Sequence, residues 1–412
     1  MKCRTVIFVC LCFCGRAEGQ IAIGEFLLSA RQDPEVSTFF EQERYLQTKP
    51  YSLSPLQRLE FRTQNRELMP QQQEFGLRFT PSNPWEVKHN RNYFKSYQTA
   101  LGLRREMALK EALVARYSAV INYIYYREVV ALVRYSHKLV NDQLSILQRQ
   151  SASNFFDADD FVDLQLDLMD RTVEIEEMEF NLLEQRHQVE KLYQRTIGDS
   201  LTWSWNQVAG VQRIARVVDS LENLSVASVV LAYQQRKIEM AMHEYKLEKA
   251  NINAGFLQTE FDNRRQEQGR TPFNISLGIT IPIVNPNKGD MTKRQLDIIE
   301  ATYDLKEEEV EERDRDLATH ERAERLFQRF AMAAEKLKAY ETGSLSGTLS
   351  AMEGGDPRII VKFNDNLVKL KLLLAKIGRD AMLAYIEYLM ASDRIQQQPM
   401  VNYLSPSLQA IE

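Results

Sequence analysis

The residues able to do chemistry are His89, His137, His187, His243 and His320, four early cysteines, and the charges gathered around 151–165 and 354–365. The histidines follow no metal-ligand spacing, and each reads as a solvated helix residue. There is no glycine-rich phosphate loop, and no nucleophile–base pair stands out. The expectation is therefore a protein that is not an enzyme and holds no cofactor or metal. What remains is charge at chain reversals. Asp160 and Asp163 open one long periodic segment; Lys362 and Asp365 stand 202 residues after them, with Arg358 just before. Acids at a helix start are favourable simply through capping and the helix dipole. The same residues could instead form ion pairs that hold a turn closed. The run Glu307–Glu312, followed by Arg313 and Arg315, reads as a solvated helix face with pairs four apart, Glu309 with Arg313 and Glu311 with Arg315.

The elements that carry these charges follow from composition. Cys3, Cys10, Cys12 and Cys14 lie beside Lys2, Arg4 and the apolar run Val6–Phe13, which reads as a secretory signal over 1–19. Ala17-Glu18-Gly19 supplies the cleavage site, so the mature chain starts near Gln20, and Phe13 argues against lipid attachment at Cys14. A mature chain without thiols holds neither a disulfide nor a thiolate metal site. The balance of 52 Lys+Arg against 57 Asp+Glu excludes a nucleic-acid binder that relies on phosphate contacts, and 44% hydrophobic residues exclude a disordered chain. No later apolar run approaches the roughly 18 residues of a membrane-spanning helix. With 16 Gly and 12 Pro in 412 residues, turns are scarce and helices must be long.

The chain also repeats itself. Phe75-Gly76-Leu77-Arg78-Phe79-Thr80-Pro81-Ser82-Asn83-Pro84 is matched by Leu277-Gly278-Ile279-Thr280-Ile281-Pro282-Ile283-Val284-Asn285-Pro286, with Gly76 and Gly278, and Asn83 and Asn285, both 202 residues apart. The heptad series Phe161, Leu168, Ile175, Leu182, Val189 recurs at that offset as Phe363, Leu370, Ile377, Ala384, Ala391. Two features at one offset predict a duplicated unit. The first repeat covers 20–198, with strands at about 59–66 and 74–80, a long helix over 85–150 and a heptad helix over 158–196. An equatorial insertion covers 199–224. The second repeat covers 225–397, with strands at about 253–262 and 273–283 and helices over 287–353 and 357–395; a tail covers 398–412.

In the strands, Ile275, Leu277, Ile279 and Ile281 alternate with Asn274, Ser276, Gly278 and Thr280, and the partner strands place Glu60, Arg62, Arg66, Glu260 and Asp262 on a charged second face. That pattern suits strands tilted across a bilayer, lipid on one side and water on the other. Four strands cannot close a barrel, and an open edge in lipid leaves backbone groups unsatisfied, so copies must join. Asn83-Pro84 and Asn285-Pro286 read as helix starts, and Phe75, Phe79, Trp85, Tyr93 and Phe94 as an interfacial belt. The rods, each about 66 residues and near 100 Å long, need other helices along their flanks.

In element order, duplication and rod length the sequence resembles the outer membrane factors, the TolC-like exit ducts of Gram-negative bacteria, over essentially the whole mature chain. The matching stretches include Asp33-Pro34-Glu35-Val36, Ser54-Pro55-Leu56, Gly278–Pro286 and Ile197-Gly198. The resemblance implies a mainly α-helical fold: a helical barrel of coiled-coil hairpins with four transmembrane β-strands per chain, completed by a homotrimer into a 12-stranded barrel. It implies location in outer membrane lipid and the periplasm, and a periplasmic adaptor and inner-membrane pump as partners. The implied function is an exit duct of tripartite efflux or type I secretion, exporting small molecules or proteins. It also implies a gate at the far turns, where Asp160, Asp163, Arg358, Lys362 and Asp365 are the candidates; Lys362 departs from the family's acidic pattern, which leaves both an acidic ring and a mixed ring with a salt bridge open. A periplasmic coiled-coil scaffold or an adaptor protein is the alternative; the scaffold has no use for four amphipathic strands, and an adaptor would carry one helical hairpin within β-rich domains, not two duplicated rods.

Overall fold

A computed structural model describes residues 21–49, 53–65, 73–149, 158–197, 201–221, 226–251, 255–262, 269, 271–279, 287–342 and 357–411. In chain order the elements are α1 (Ile23–Leu28), α2 (Pro34–Thr48), β1 (Leu56–Asn65), β2 (Gln73–Pro81), α3 (Pro84–Arg149), α4 (Ala158–Tyr193), α5 (Val211–Leu221), α6 (Val229–Ala250), β3 (Gly255–Asp262), β4 (Phe273–Ile279), α7 (Lys288–Thr342) and α8 (Pro357–Ala391). The fold is mainly helical with one four-stranded antiparallel sheet, ordered β1-β2-β3-β4.

Local chemistry sets the helix starts. Asp33 accepts from the Glu35 backbone N–H at 3.3 Å, and Pro34 follows at the first helical position. Asn83 accepts from the Trp85 N–H at 3.0 Å, while its own amide donates to the Ala250 carbonyl at 2.7 Å, fastening the head of α3 to the end of α6. Asn285, the corresponding expected cap, lies outside the described residues. Asn287 reaches the same end of α6, donating to the Asn251 carbonyl at 2.9 Å. One strand–helix junction thus holds three elements.

The helices form a layer four wide. Nearest the sheet the order is α2–α3–α6–α7, and farther away it is α4–α3–α8–α7. The long rods α3 and α7, the first with 66 residues and about 100 Å long, run through both halves. Shorter helices stack end to end beside them.

The two halves meet in an apolar belt. Phe26 packs against Trp203 at 5.1 Å and Tyr193 at 6.0 Å, and Trp203 meets Tyr123 edge-on. Each fully buried side chain of this size contributes about 1.5 to 3 kcal/mol. Residues 201–221 and 398–411, expected to belong to an insertion and a tail, are built into this belt: Trp203, Ile214, Met400 and Leu404 are all buried. Several polar groups carried inside find partners, although the Tyr385 hydroxyl has none among the described residues. The Trp203 indole donates to the Ile21 carbonyl at 2.7 Å, and the Tyr117 hydroxyl donates to the Val401 carbonyl at 3.0 Å. Buried Asp393 joins three elements, accepting from Lys110 Nζ of α3 at 2.8 Å and from the Val229 N–H that opens α6 at 3.1 Å.

Candidate functional site: two open edges and a charged turn

Alternation in each strand and the antiparallel register together sort the sheet into two faces. One carries the row Leu59, Phe79, Leu257, Leu277, then Phe61, Leu77, Thr259, Ile275, then Thr63, Phe75, Phe261, Phe273. This apolar face has no cover among the described residues: Ile275 and Leu277 are 71% and 72% exposed. The other carries Glu60, Arg78, Gln258, Ser276 and then Arg62, Gly76, Glu260, Asn274. Here Arg58 and Arg62 pair with Glu60 at 3.0 and 2.6 Å, and the Arg78 guanidinium stacks on the Phe256 ring at 3.6 Å. That ring lies over Gly278, where any Cβ would collide with it. One uncovered apolar face and one ion-paired face are the pattern of strands that meet lipid on one side and water on the other. Thr280, expected on the watery face, lies outside the described residues. Of the expected belt, Trp85 is exposed, while Tyr93 turns into an aromatic cluster with Phe94 and Tyr97.

Both layers are open at the same two sides. Among the described residues, β1 and β4 each have one partner strand, leaving an unpaired row of backbone groups on the other side. The helical layer ends in α2 and α4 on the β1 side and in α7 on the β4 side. Each of these edges presents exposed apolar side chains. On α4 they are Val162, Leu166, Met169, Val173, Phe180 and Leu183; on α7, Leu296, Ile299, Tyr303, Val310 and Leu317; on α2, Phe40 and Tyr45. Spacings of three, four and seven are those of a coiled-coil seam that lacks its partner. The heptad series read from the sequence, Phe161 through Val189, is a different face of α4, more covered than the seam beside it.

At the far end, 150–157 and 343–356 lie outside the described residues. Asp160 stands in the first turn of α4, and Asp163 and Lys362 are exposed. The Arg358 backbone is helical, and its side chain lies outside what is described. Asp365 is drawn inward instead. It accepts from Ser136 Oγ of α3 at 2.6 Å, pairs with Lys369 at 2.8 Å, and faces Arg171 of α4 at 3.7 Å. Burial works to raise its pKa, but the hydrogen bonds from Lys369 and Ser136 and the Lys369 and Arg171 charges outweigh it and hold the carboxyl low. Asp365 therefore ties α3, α4 and α8 together above the turn. Sequence reasoning missed Arg171 and Ser136, which lie in helix interiors with no turn or cap to mark them.

One expectation about isolated side chains is corrected, and one expected ion pair is found. His89 and His243, read as solvated, face each other across the α3–α6 seam with ring centroids 6.2 Å apart. Helix register brings them together, not sequence spacing. In the acidic run, Arg315 pairs with Glu311 at 3.6 Å as expected, and also reaches Glu308 at 3.9 Å.

No protein-family model matches the sequence, and no curated protein is significantly similar to it. Solved structures do match in fold. The outer membrane protein VceC of Vibrio cholerae shares 12% identity at a TM-score of 0.63, over 90% of this chain and 95% of that one. The open-state outer membrane channel MtrE of Neisseria gonorrhoeae gives 12% and 0.63, over 94% of this chain and 90% of that one. The CmeC outer membrane channel of Campylobacter jejuni gives 9% and 0.63, over 94% and 86%. By architecture, then, this chain has the fold of the outer membrane factor, or TolC-like, channels.

Proposed function

We propose that this chain is one third of a homotrimeric outer membrane channel that reaches into the periplasm and serves as the exit duct of an export system. The observation that carries the reading is the pair of matched open edges. An unpaired strand and an uncovered apolar seam lie on each side of the molecule, so copies set side by side satisfy both layers at once. Three copies would supply twelve strands, closed around the ion-paired face, with the apolar face outward to lipid. Below the membrane, twelve helical positions per ring would continue the tube. The near-200-residue repeat suits such a wall, since each half contributes two strands and two helical positions. The reading is of a conduit, not a catalyst, fed by an inner-membrane pump through a periplasmic adaptor.

Mass measurement of the detergent-solubilised protein is expected to give a trimer. A stable monomer would remove the reading, because four strands leave open edges that lipid cannot satisfy.

In this reading the far turns form the gate, with Asp160, Asp163, Arg358, Lys362 and Asp365 around it. The Asp365 network supports this by clamping α3, α4 and α8 just above the turn. Asp365→Ala is expected to raise single-channel conductance in planar bilayers severalfold with the trimer intact, since three-fold symmetry repeats each small loss three times. Because the folded pKa of Asp365 is depressed, its contribution is complete above the ordinary value of about 3.9 and is lost as pH falls through the lowered one. Wild type should therefore open in acid, and Asp365→Ala should show a smaller response. Equal conductance of the two at neutral pH would place closure elsewhere.

A further inference from the structure

His89 lies in α3 and His243 in α6, just below the sheet, where the Asn83 amide fastens the two helices. Their ring planes are inclined by 34° at a centroid separation of 6.2 Å. The Nδ1 atom of each is buried and has no hydrogen-bond partner among the described residues. Two orphaned imidazole nitrogens in one seam are costly, because buried polar atoms normally find partners. Burial first, and then the Lys246 charge, joined at His89 by Lys88, hold both rings below their ordinary pKa; Glu239 works the other way on His243.

Distance is compatible with a shared ion. A metal bound through one imidazole nitrogen lies about 3 Å from the ring centre, so two rings on one ion have centroids about 5 to 6.5 Å apart. Two imidazoles favour borderline ions, whereas calcium and magnesium require oxygen ligands. We propose that His89 and His243 together bind one divalent transition-metal ion of the zinc, nickel or copper class, bridging α3 and α6 beneath the sheet. Among the described residues no set of three or more ligating side chains converges, so water completes the coordination and the ion is exchangeable. Lys88 and Lys246 are exposed and oppose the added charge, which gives the site a signature of its own: removing a lysine strengthens it.

Cu2+ is the probe, because imidazole sites bind it most tightly among these ions. The purified full chain in detergent is titrated at pH 7.5, and nitrogen couplings are read from the electron paramagnetic resonance spectrum. Wild type is expected to take up one ion per chain coupled to two imidazole nitrogens. His89→Gln and His243→Gln should each weaken binding about tenfold or more and remove one coupling. Lys246→Gln should tighten binding severalfold. Should the glutamine variants fail to assemble, His89→Asn and His243→Asn repeat the test with a smaller polar group. Affinity and couplings unchanged in the histidine variants, with uptake lost instead on changing His137, His187 or His320, would overturn the site.

Discussion

Leu277→Arg is expected to abolish stable assembly in the membrane, at a cost of about 2 to 4 kcal/mol per chain near the bilayer midplane. Leu277 lies in the row Leu59, Phe79, Leu257, Leu277, on a face that no described residue covers. In the proposed trimer the penalty is repeated three times around one barrel. The neighbouring Ser276 belongs to the row of Glu60, Arg78 and Gln258, and Ser276→Arg adds one more charge to a face that already holds several. The measurement is the fraction of protein that resists urea extraction from membranes, together with the yield of trimer. Equal loss in the two variants would mean that the exposed face does not meet lipid, and a soluble assembly would have to be considered instead.

Arg116→Met is expected to destabilise the helical layer by about 3 to 5 kcal/mol, the range for breaking a buried charge network by removing one partner. The Arg116 side chain is fully buried and joins three segments. It donates to the Leu192 carbonyl at the end of α4 at 2.9 Å, to Asp33 Oδ2 at 3.1 Å and to Ser29 Oγ at 3.0 Å. A methionine fills similar space but leaves those acceptors without donors. Arg134→Met is the control, because Arg134 makes a single exposed pair with Glu179, worth about 0 to 1 kcal/mol. Urea midpoints followed by helix signal separate the two. If both variants shift alike, the Arg116 cluster contributes no more than a surface pair.

What could be read in the sequence was whatever repeats or caps locally. Rods were legible because breakers are scarce, strands because Ile275, Leu277 and Ile279 alternate with small polar residues, and the head of α3 because Asn83-Pro84 is chemically a cap. The second seam of α4 was not, since apolar residues fall side by side at 161 and 162, 168 and 169, and 182 and 183. Two overlapping heptads blur each other, and only burial separates the covered face from the free one. The belt escaped for a different reason. Trp203, Leu404 and Ile411 sit in irregular chain whose partners are chosen by tertiary register, and no local period records that choice. Arg171 beside Asp365, and His89 beside His243, are likewise products of how helices slide past one another.

The belt has a consequence for the order in which the molecule acquires structure. Phe26 and Leu27 share one core with Met400, Leu404 and Ile411, so the first segment of the fold is completed by the last. At roughly 5 to 20 residues per second, synthesis separates those partners by tens of seconds. Through that interval α3 can wind and Phe26 can meet Tyr193 and Trp203, but the core still lacks the side that Met400, Leu404 and Ile411 supply. A product truncated before Met400 would leave Tyr117 without its acceptor on Val401 and the core without one of its sides.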